Sequence, residues 1–378
     1  MLVFGWRTAL LSLVTAQVLI LIVALLRAPR NRPANRRLAG LLALLIGMIT
    51  PYTVGFAGFY DAFPWLTFAP FALPLALGPM ALAYACAWSG APLRPPLGVH
   101  LIPAGVHLGY SLACFSLPLD LKQAWADGGD ATVVAPLVAS LAPLSLGAYT
   151  LAAFRTLRRY QARLAEVVTE DARYAGAWLQ RALAALLPVL VLWLAYQAWE
   201  VAAGGLDYFQ RLNLYLAFAG LALYLAVEGW RHADLRQPDF AVAPRGPVPV
   251  RDWAAQARAW TAALDDAEWW REPDLTLAEL AARLGTNTYY VSRAFNEGLG
   301  QNFAQVINGR RARAVADALA AGSTRPLLEL ALEAGFNSKA SFNRAYRAAC
   351  GESPSSARRR ASDPKSLATA PEVRRAEP

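Results

Sequence analysis

Apolar residues dominate the first 230 positions in long runs, and polar residues gather in the short segments between the runs. Seven runs can be marked, at about 8–26, 38–59, 64–88, 98–117, 131–153, 182–203 and 212–229. A helix needs about 20 apolar residues to cross the hydrocarbon core of a bilayer, and each run is close to that length. The pattern therefore predicts a bundle of seven transmembrane helices.

Beyond residue 251 the pattern changes to short apolar stripes at helical spacing, separated by polar turns. Thr276-Leu277-Ala278-Glu279 is a capping box that begins a helix, and Gly285 ends that helix. A second helix is expected from about Thr288 to Glu297. The stretch from Glu329 to Tyr346 repeats the order of helix, glycine turn and helix, which is the shape of a major-groove DNA-binding motif.

These two helix-turn-helix stretches are copies of one pattern. Glu279-Leu280-Ala281, Gly285, Asn287 and Ser292-Arg293-Ala294-Phe295 recur as Glu329-Leu330-Ala331, Gly335, Asn337 and Asn343-Arg344-Ala345-Tyr346. The separation is about 50 residues at the start and about 51 at the end. Between the copies, residues 303–321 are predicted to form one long helix that holds both motifs at a fixed separation.

Prolines at 238, 244, 247 and 249 mark a boundary between the two halves. We therefore expect a seven-span sensor domain at 1–230, a proline-rich linker at 231–250, a DNA-binding domain at 251–360 and a disordered tail at 361–378. The predicted fold class is all-α, a seven-helix transmembrane bundle followed by a cytoplasmic helical domain with two helix-turn-helix motifs.

Composition agrees with membrane spans, since 56% of residues are hydrophobic, only 17% are charged and the mean hydropathy is +0.29. Charge sets the expected orientation, because basic loops face the cytoplasm. Basic residues follow the first, third, fifth and seventh runs: Arg27, Arg30, Arg32, Arg36, Arg37, Arg94, Arg155, Arg158, Arg159, Arg163, Arg173, Arg181, Arg231 and Arg236. We expect a multi-pass protein of the inner membrane, with its N-terminus outside and its C-terminal domain in the cytoplasm. The first run is expected to be retained as a transmembrane helix and not cleaved as a signal peptide, because its basic residues follow the apolar stretch.

Polar residues inside the spans are candidates for ligand binding. His107 lies near the middle of the fourth run and His100 seven residues earlier, a spacing that suits either a metal or haem site or an ordinary hydrogen-bonded helix contact. Glu200, one turn after Tyr196, either lines a ligand pocket or anchors the helix at the membrane interface.

No motif indicates an enzyme. The three cysteines, Cys86, Cys114 and Cys350, have no spacing typical of zinc or of a disulfide framework. The spans contain no acidic metal cluster and no nucleophile motif, so we expect neither a cofactor nor catalysis.

Residues 253–360 resemble the AraC/XylS family of bacterial transcriptional regulators. The residues that carry the resemblance are Leu275-Thr276-Leu277, Leu280-Ala281, Tyr289 through Phe295, Gly300, Asn308, Arg311, Leu330-Ala331, Gly335-Phe336, Phe342, Arg344, Gly351 and Pro354. The family pattern ends in proline, two residues, tyrosine and arginine, whereas Pro354-Ser355-Ser356-Ala357-Arg358 lacks the tyrosine. The apolar N-terminal half also departs from the family.

The resemblance implies that two recognition helices enter successive major-groove segments on one face of the DNA. The first would use Tyr289, Tyr290, Ser292, Arg293 and Asn296, and the second Asn337, Ser338, Lys339, Ser341, Asn343 and Arg344. Arginine suits guanine and asparagine suits adenine, but Arg293 and Arg344 could instead hold phosphates. Arg310, Arg311 and Arg313 of the connecting helix either reach phosphates or form structural ion pairs.

These observations favour a one-component, membrane-embedded transcription regulator. Its expected partners are double-stranded DNA, the lipid bilayer, RNA polymerase, a small or lipophilic signal and, because one domain reads only a short asymmetric site, a second copy of the chain. The alternatives are a transporter or membrane enzyme with an attached regulatory domain, and a tethered factor released by proteolysis at the linker.

Overall fold

A computed structural model describes residue 2 and residues 4–167, 176–204, 209–235 and 252–362. The chain divides into two compact units, residues 1–160 with 176–237 and residues 161–175 with 238–378. We call the first the apolar unit and the second the C-terminal unit. The described residues are largely helical and include no strand, so the all-α prediction is confirmed.

The described residues of the apolar unit form ten helices with short connections, of which α8 continues beyond the unit at residue 160. They are α1 (Trp6–Arg27), α2 (Arg32–Phe56), α3 (Phe59–Ala62), α4 (Pro74–Trp88), α5 (Leu97–His100), α6 (Ile102–Phe115), α7 (Leu119–Trp125), α8 (Ala135–Val167), α9 (Ala177–Ala203) and α10 (Leu212–Arg231). A 3₁₀ turn covers Pro64–Leu66, and a π-helical stretch, Ala126–Val134, joins α7 to α8. The α7–α8 helix is therefore continuous.

Among the described residues, five helices are long and apolar enough to cross a membrane: α1, α2, the continuous Leu119–Leu164 segment, α9 and α10. The helices α4 and α6 are apolar but shorter, with 15 and 14 residues. The count of seven spans therefore stays a prediction.

The third predicted run, 64–88, is α-helical only from Pro74. Three prolines, at 64, 70 and 74, lack the amide hydrogen that a helix needs, and Phe68 has a left-handed φ of 66°. The fourth run is divided between α5 and α6 at Leu101.

The centre of the apolar unit is α2, which packs against α1, α4 and α10. Leu38, Leu42, Leu45 and Ile49 form its fully buried side. On α1, in contrast to this buried side of α2, large apolar side chains such as Ile20 are exposed. An exposed apolar surface of this kind is favourable in hydrocarbon and costly in water.

Seven helices form the described core of the C-terminal unit. They are α11 (Trp253–Asp266), α12 (Leu277–Arg283), α13 (Thr288–Arg293), α14 (Phe303–Ala320), α15 (Leu327–Glu333), α16 (Lys339–Cys350) and α17 (Pro354–Ser362). Both predicted helix-turn-helix motifs are present, as α12–α13 and α15–α16, with α14 between them. Residues 294–298 continue α13 as a π-helical turn.

The two motifs end their first helix with the same hydrogen bonds. Gly285 N–H donates to Ala282 and Thr286 N–H to Ala281, while fifty residues later Gly335 N–H donates to Leu332 and Phe336 N–H to Ala331. Both glycines have positive φ, +63° and +93°, as this type of helix end requires.

The turns then differ by one residue. Asn287 caps α13 by accepting a hydrogen bond from Tyr290 N–H, whereas Ser338, not Asn337, caps α16 by accepting one from Ser341 N–H. The extra residue in the second turn explains why the separation of the repeat grows by one along its length.

Most of the predicted linker and tail, residues 236–250 and 363–378, lies outside the described residues. The boundaries proposed for the four regions stay predictions.

Candidate nucleic-acid interface

The first candidate recognition helix, α13, is fixed on its inner side by the core and presents a polar side outward. Val291 and Phe295 are fully buried, and Ala294 lies beside them. Ser292 and Asn296 lie on the other side, where the Asn296 amide donates to the Ser292 hydroxyl at 3.3 Å. Amide and hydroxyl groups in this position can reach base edges in a major groove.

Arg293 is the only arginine of α13, and the structure places its guanidinium in a defined environment. Its Nε donates to the Glu297 carboxylate at 2.6 Å and its Nη1 to the Tyr289 hydroxyl at 3.2 Å. The guanidinium lies 5.0 Å from the centre of the Trp253 ring, in cation–π contact. The hydrogen bond to Glu297 raises the pKa of Arg293 above its usual value. Arg293 is therefore positioned near the surface, with its charge offset by a carboxylate.

The two tyrosines of α13 have different environments. Tyr290 stacks on Trp253 of α11 with ring centroids 6.1 Å apart, so it joins α13 to the preceding helix. Tyr289 meets Tyr290 edge-on at 5.6 Å and holds Arg293. Trp253 of α11 thus also supports a candidate DNA-contacting arginine, a contact that the sequence alone did not show.

The second candidate recognition helix, α16, begins with a cluster of small polar groups. Ser338 and Ser341 hydroxyls lie 3.1 Å apart, and Arg344 Nη2 donates to the Ser341 hydroxyl at 3.2 Å. Lys339 is exposed and Asn343 is half-buried. Phe342 and Tyr346 are buried on the other side of the helix.

Asn337, the counterpart of Asn287 in the repeat, lies in the turn before α16. Its amide donates to the Asp274 carboxylate at 3.2 Å and to the Pro273 carbonyl at 3.4 Å. In this structure Asn337 therefore connects the second turn to the segment before α12.

The three arginines of α14 occupy three different environments. Arg310 forms an ion pair with Asp265, Arg311 is fully buried, and Arg313 is exposed. Arg311 donates to the carbonyl oxygens of Trp270 and Glu272, at 2.6 Å each. Arg313 lines a groove of about 440 Å³ between α14 and α16, together with Arg344. Of the three, only Arg313 is placed to meet a phosphate without rearrangement.

The candidate ligand residues of the apolar unit do not share one site. His107 lines a cavity of about 280 Å³, and Gln197 lies on the same wall. Glu200 forms an ion pair with Arg211 at 2.6 Å, and the Tyr196 hydroxyl donates to the Gln210 carbonyl at 2.9 Å. Arg211 lines the cavity, so Glu200 reaches the cavity only through that arginine.

His100 and His107 have separate partners. His100 Nδ1 lies 2.9 Å from the Tyr149 hydroxyl, whereas the ring of His107 stacks on Tyr110. In the part of the chain that the structure describes, no group of three or more His, Cys, Asp or Glu residues could hold a metal ion. Asp130 and Arg211 also line the cavity.

Residues 280–360 match the family model described as a helix-turn-helix domain, and the match is to the AraC type. No curated protein and no solved structure matches the chain. The matched residues begin within α12 and end within α17, so they include both motifs and the connecting α14. The match supports a DNA-binding transcription regulator and confirms the family resemblance of this part of the chain.

Proposed function

We propose, from the premise that residues 280–360 form an AraC-type helix-turn-helix domain, that the chain is a membrane-embedded, one-component transcription regulator. The C-terminal unit binds a specific duplex site, and the apolar unit receives a signal in or across the membrane. The observation that carries the proposal is the pair of matching helix-turn-helix motifs joined by one helix.

The connecting helix supports simultaneous binding by both motifs. It has 18 residues, which at 1.5 Å per residue gives a length of about 27 Å. One turn of B-form DNA is about 34 Å long, so two major-groove segments on one face lie at a comparable distance. A capping box at Asn302 begins α14, and buried Arg311 ties it to residues 270–272, so the connection is rigid.

Specific contact is proposed for polar residues on each recognition helix, with an arginine on each. The set is Tyr289, Ser292, Arg293 and Asn296 on α13, and Lys339, Ser341, Asn343 and Arg344 on α16. To contact a base, Arg293 must break its hydrogen bond to Glu297 or keep it while another of its nitrogens binds the base. In the hydrogen bonds described above, Arg344 donates only to a serine hydroxyl. Tyr290, Asn337 and Ser338 support the surface through packing, the turn and the helix cap.

Membrane embedding is supported by five helices of sufficient length and apolarity and by the exposed apolar side chains of α1. The proposed orientation places the C-terminal unit in the cytoplasm, at the inner membrane, where it meets promoter DNA and RNA polymerase. Pairing of two copies would double the length of the DNA site. We propose that the signal acts by changing the proximity or pairing of subunits.

The proposal is tested with the full-length protein in lipid nanodiscs. Duplexes of random sequence are selected for binding, and the enriched site is measured against the wild type, Arg293→Ala and Arg344→Ala. If Arg344 binds a base, Arg344→Ala should weaken binding by about 1–3 kcal/mol and relax specificity at one position. If it binds a phosphate instead, the substitution should weaken binding to all sequences alike and reduce the salt dependence.

Arg258→Ala, at an exposed position of α11, is the matched control and should bind as the wild type does. Failure to enrich any sequence, or an enriched site that binds both arginine variants and the wild type equally, would contradict the proposal.

A further inference from the structure

The cavity beside His107 is lined by several helices of the apolar unit and is partly open. It is lined from α2, α4, α6, α8, α9 and α10, and from the π-helical stretch before α8. Its volume of about 280 Å³ is just below the range of ordinary ligand pockets, which begins at about 300 Å³. A ligand that fills it must therefore be small.

Aromatic and aliphatic side chains form most of the wall. Phe68, Tyr110, Trp193 and Tyr215 bring four aromatic rings to the cavity, and Val138 lies among the aliphatic residues. The Phe68 and Tyr110 rings meet edge-on, with centroids 6.2 Å apart. Aromatic faces are electron-rich and attract cations, most strongly where water is displaced.

The charges on the wall are not equivalent. The Asp130 carboxylate accepts a hydrogen bond from the Tyr110 hydroxyl at 2.6 Å, and that hydroxyl accepts one from the Trp125 indole N–H at 2.8 Å. Within the described residues no Lys or Arg forms an ion pair with Asp130. Arg211, by contrast, already has the Glu200 carboxylate at 2.6 Å. Among the residues that the structure describes, the wall therefore carries one carboxylate, that of Asp130, with which no lysine or arginine forms an ion pair.

A ring nitrogen of His107 adds a second unused group. Its Nδ1 is buried and makes no hydrogen bond to any described residue. In the tautomer that carries its hydrogen on Nε2, Nδ1 is an acceptor. A carboxylate, an acceptor nitrogen and aromatic faces all suit a ligand that donates hydrogen bonds and carries a positive charge.

We propose that this cavity binds a small organic cation, an ammonium group on a short apolar body. The ammonium pairs with Asp130, and the apolar body packs on the aromatic wall. An anionic ligand is disfavoured, because it would face Asp130 and would compete with Glu200 for Arg211. This proposal rests on the proposed sensor function of the apolar unit, for which it names the class of ligand.

The test uses three compounds that share one cyclohexane ring: cyclohexylammonium, cyclohexanol and cyclohexanecarboxylate. Binding to the full-length protein in nanodiscs is measured by titration calorimetry without DNA, with empty nanodiscs as the blank. Cyclohexylammonium should bind most tightly and cyclohexanecarboxylate least. Asp130→Asn keeps an oxygen for Tyr110 and should weaken ammonium binding at least about tenfold.

Asp127→Asn is the matched control, because Asp127 lies on the same π-helical stretch but does not line the cavity. It should leave binding unchanged. Val138→Phe keeps Asp130 but fills the cavity, so it should abolish binding and serves as the second variant if Asp130→Asn does not fold.

Tighter binding of the carboxylate, equally weakened binding in Asp127→Asn and Asp130→Asn, retained binding in Val138→Phe, or no binding of the ammonium would each overturn the proposal. Because no DNA is present, these outcomes do not depend on the DNA-binding proposal. A protein that selects a DNA site but binds no ammonium would refute the cavity assignment alone.

Discussion

Arginine serves several different roles in the C-terminal unit, and residue type alone does not distinguish them. Arg293 and Arg344 lie on the two candidate recognition helices, where Arg293 is partly exposed and Arg344 is exposed. Arg310, Arg311 and Arg313 follow one another closely, yet one is paired, one is buried and one is exposed. The partners of Arg311 are backbone carbonyls more than 35 residues away along the chain, and no pattern of side chains in the sequence predicts them.

Removing the Arg311 guanidinium should destabilise the C-terminal unit. Arg311→Met keeps the apolar stem but removes the donors to the Trp270 and Glu272 carbonyls. Leaving a buried acceptor unsatisfied costs about 1–3 kcal/mol, so we expect stability to fall by about 3 kcal/mol. Hydrogen exchange of the α14 amides in the full-length protein measures the change.

The comparison variant is Arg313→Met, at an exposed position of the same helix, which should stay within about 0.5 kcal/mol of the wild type. Equal exchange rates in the two variants would show that the buried hydrogen bonds do not stabilise the unit.

Low pH should weaken the ion pair between Arg283 and Glu272 on the surface of the C-terminal unit. Arg283 donates to both oxygens of Glu272, at 2.6 and 2.7 Å, and these bonds lower the pKa of Glu272. The folded carboxyl therefore binds a proton less readily than the unfolded one, whose pKa is about 4.3. The stabilisation is present above that value and is lost as the pH falls through the lower pKa of the folded state.

Both side chains of this pair are partly exposed, so the effect should be at most about 1 kcal/mol. Thermal unfolding of the wild type and Glu272→Gln between pH 3 and 7 should show a difference at neutral pH that shrinks in acid. A difference that is the same across that range would exclude this role for the pair.

At the scale of elements, the repeat predicted both helix-turn-helix motifs and the long helix between them. It did not show which residue caps α16, because Asn337 matches Asn287 in sequence while Ser338 takes its place in structure. In the apolar half, each predicted run overlaps a helix, but most of these helices begin at other residues than the runs do. Within run 64–88, the apolar side chains favour a membrane helix, whereas the repeated prolines disfavour an α-helix. The α-helix therefore begins only at residue 74.

The repeat supplies a matched pair of glycines for testing the turns. A Cβ at Gly335 would lie 2.4 Å from the Arg271 carbonyl oxygen, whereas at Gly285 it would meet no atom within 4 Å. Both positions have positive φ, which costs a non-glycine residue about 1–2 kcal/mol. Gly285→Ala should destabilise by about that much, and Gly335→Ala clearly more, because the clash adds to the strain.

The stabilities of the two full-length variants are compared by thermal unfolding, followed through hydrogen exchange of the amides in α12 and α15. If Gly285→Ala were the less stable of the two, the close approach of residue 271 to the second turn would not matter in solution.

At the scale of the whole molecule, the charge pattern predicts an orientation that the helices alone do not supply. The prediction is tested with single cysteines in a chain whose three native cysteines are replaced by alanine. Asp127→Cys should react with a membrane-impermeant maleimide in intact cells, whereas Arg94→Cys should react only after the cells are opened. Both positions are exposed on the protein surface, so a difference reports sidedness.

Labelling of position 94 but not 127 would reverse the predicted orientation and place the C-terminal unit on the wrong side for DNA. Labelling of both in intact cells would argue against a span between them.

The rigidity of α14 has a consequence for how genomic targets are found. A stiff connection of about 27 Å cannot stretch to tolerate one inserted base pair, which would shift one motif by about 3.4 Å along the axis and also rotate it around the duplex. Each target should therefore consist of two short base sequences separated by a spacer of constant length. A genome can be searched for such a site as one pattern with a fixed spacer, and the spacer length should vary far less among binding sites than the bases do.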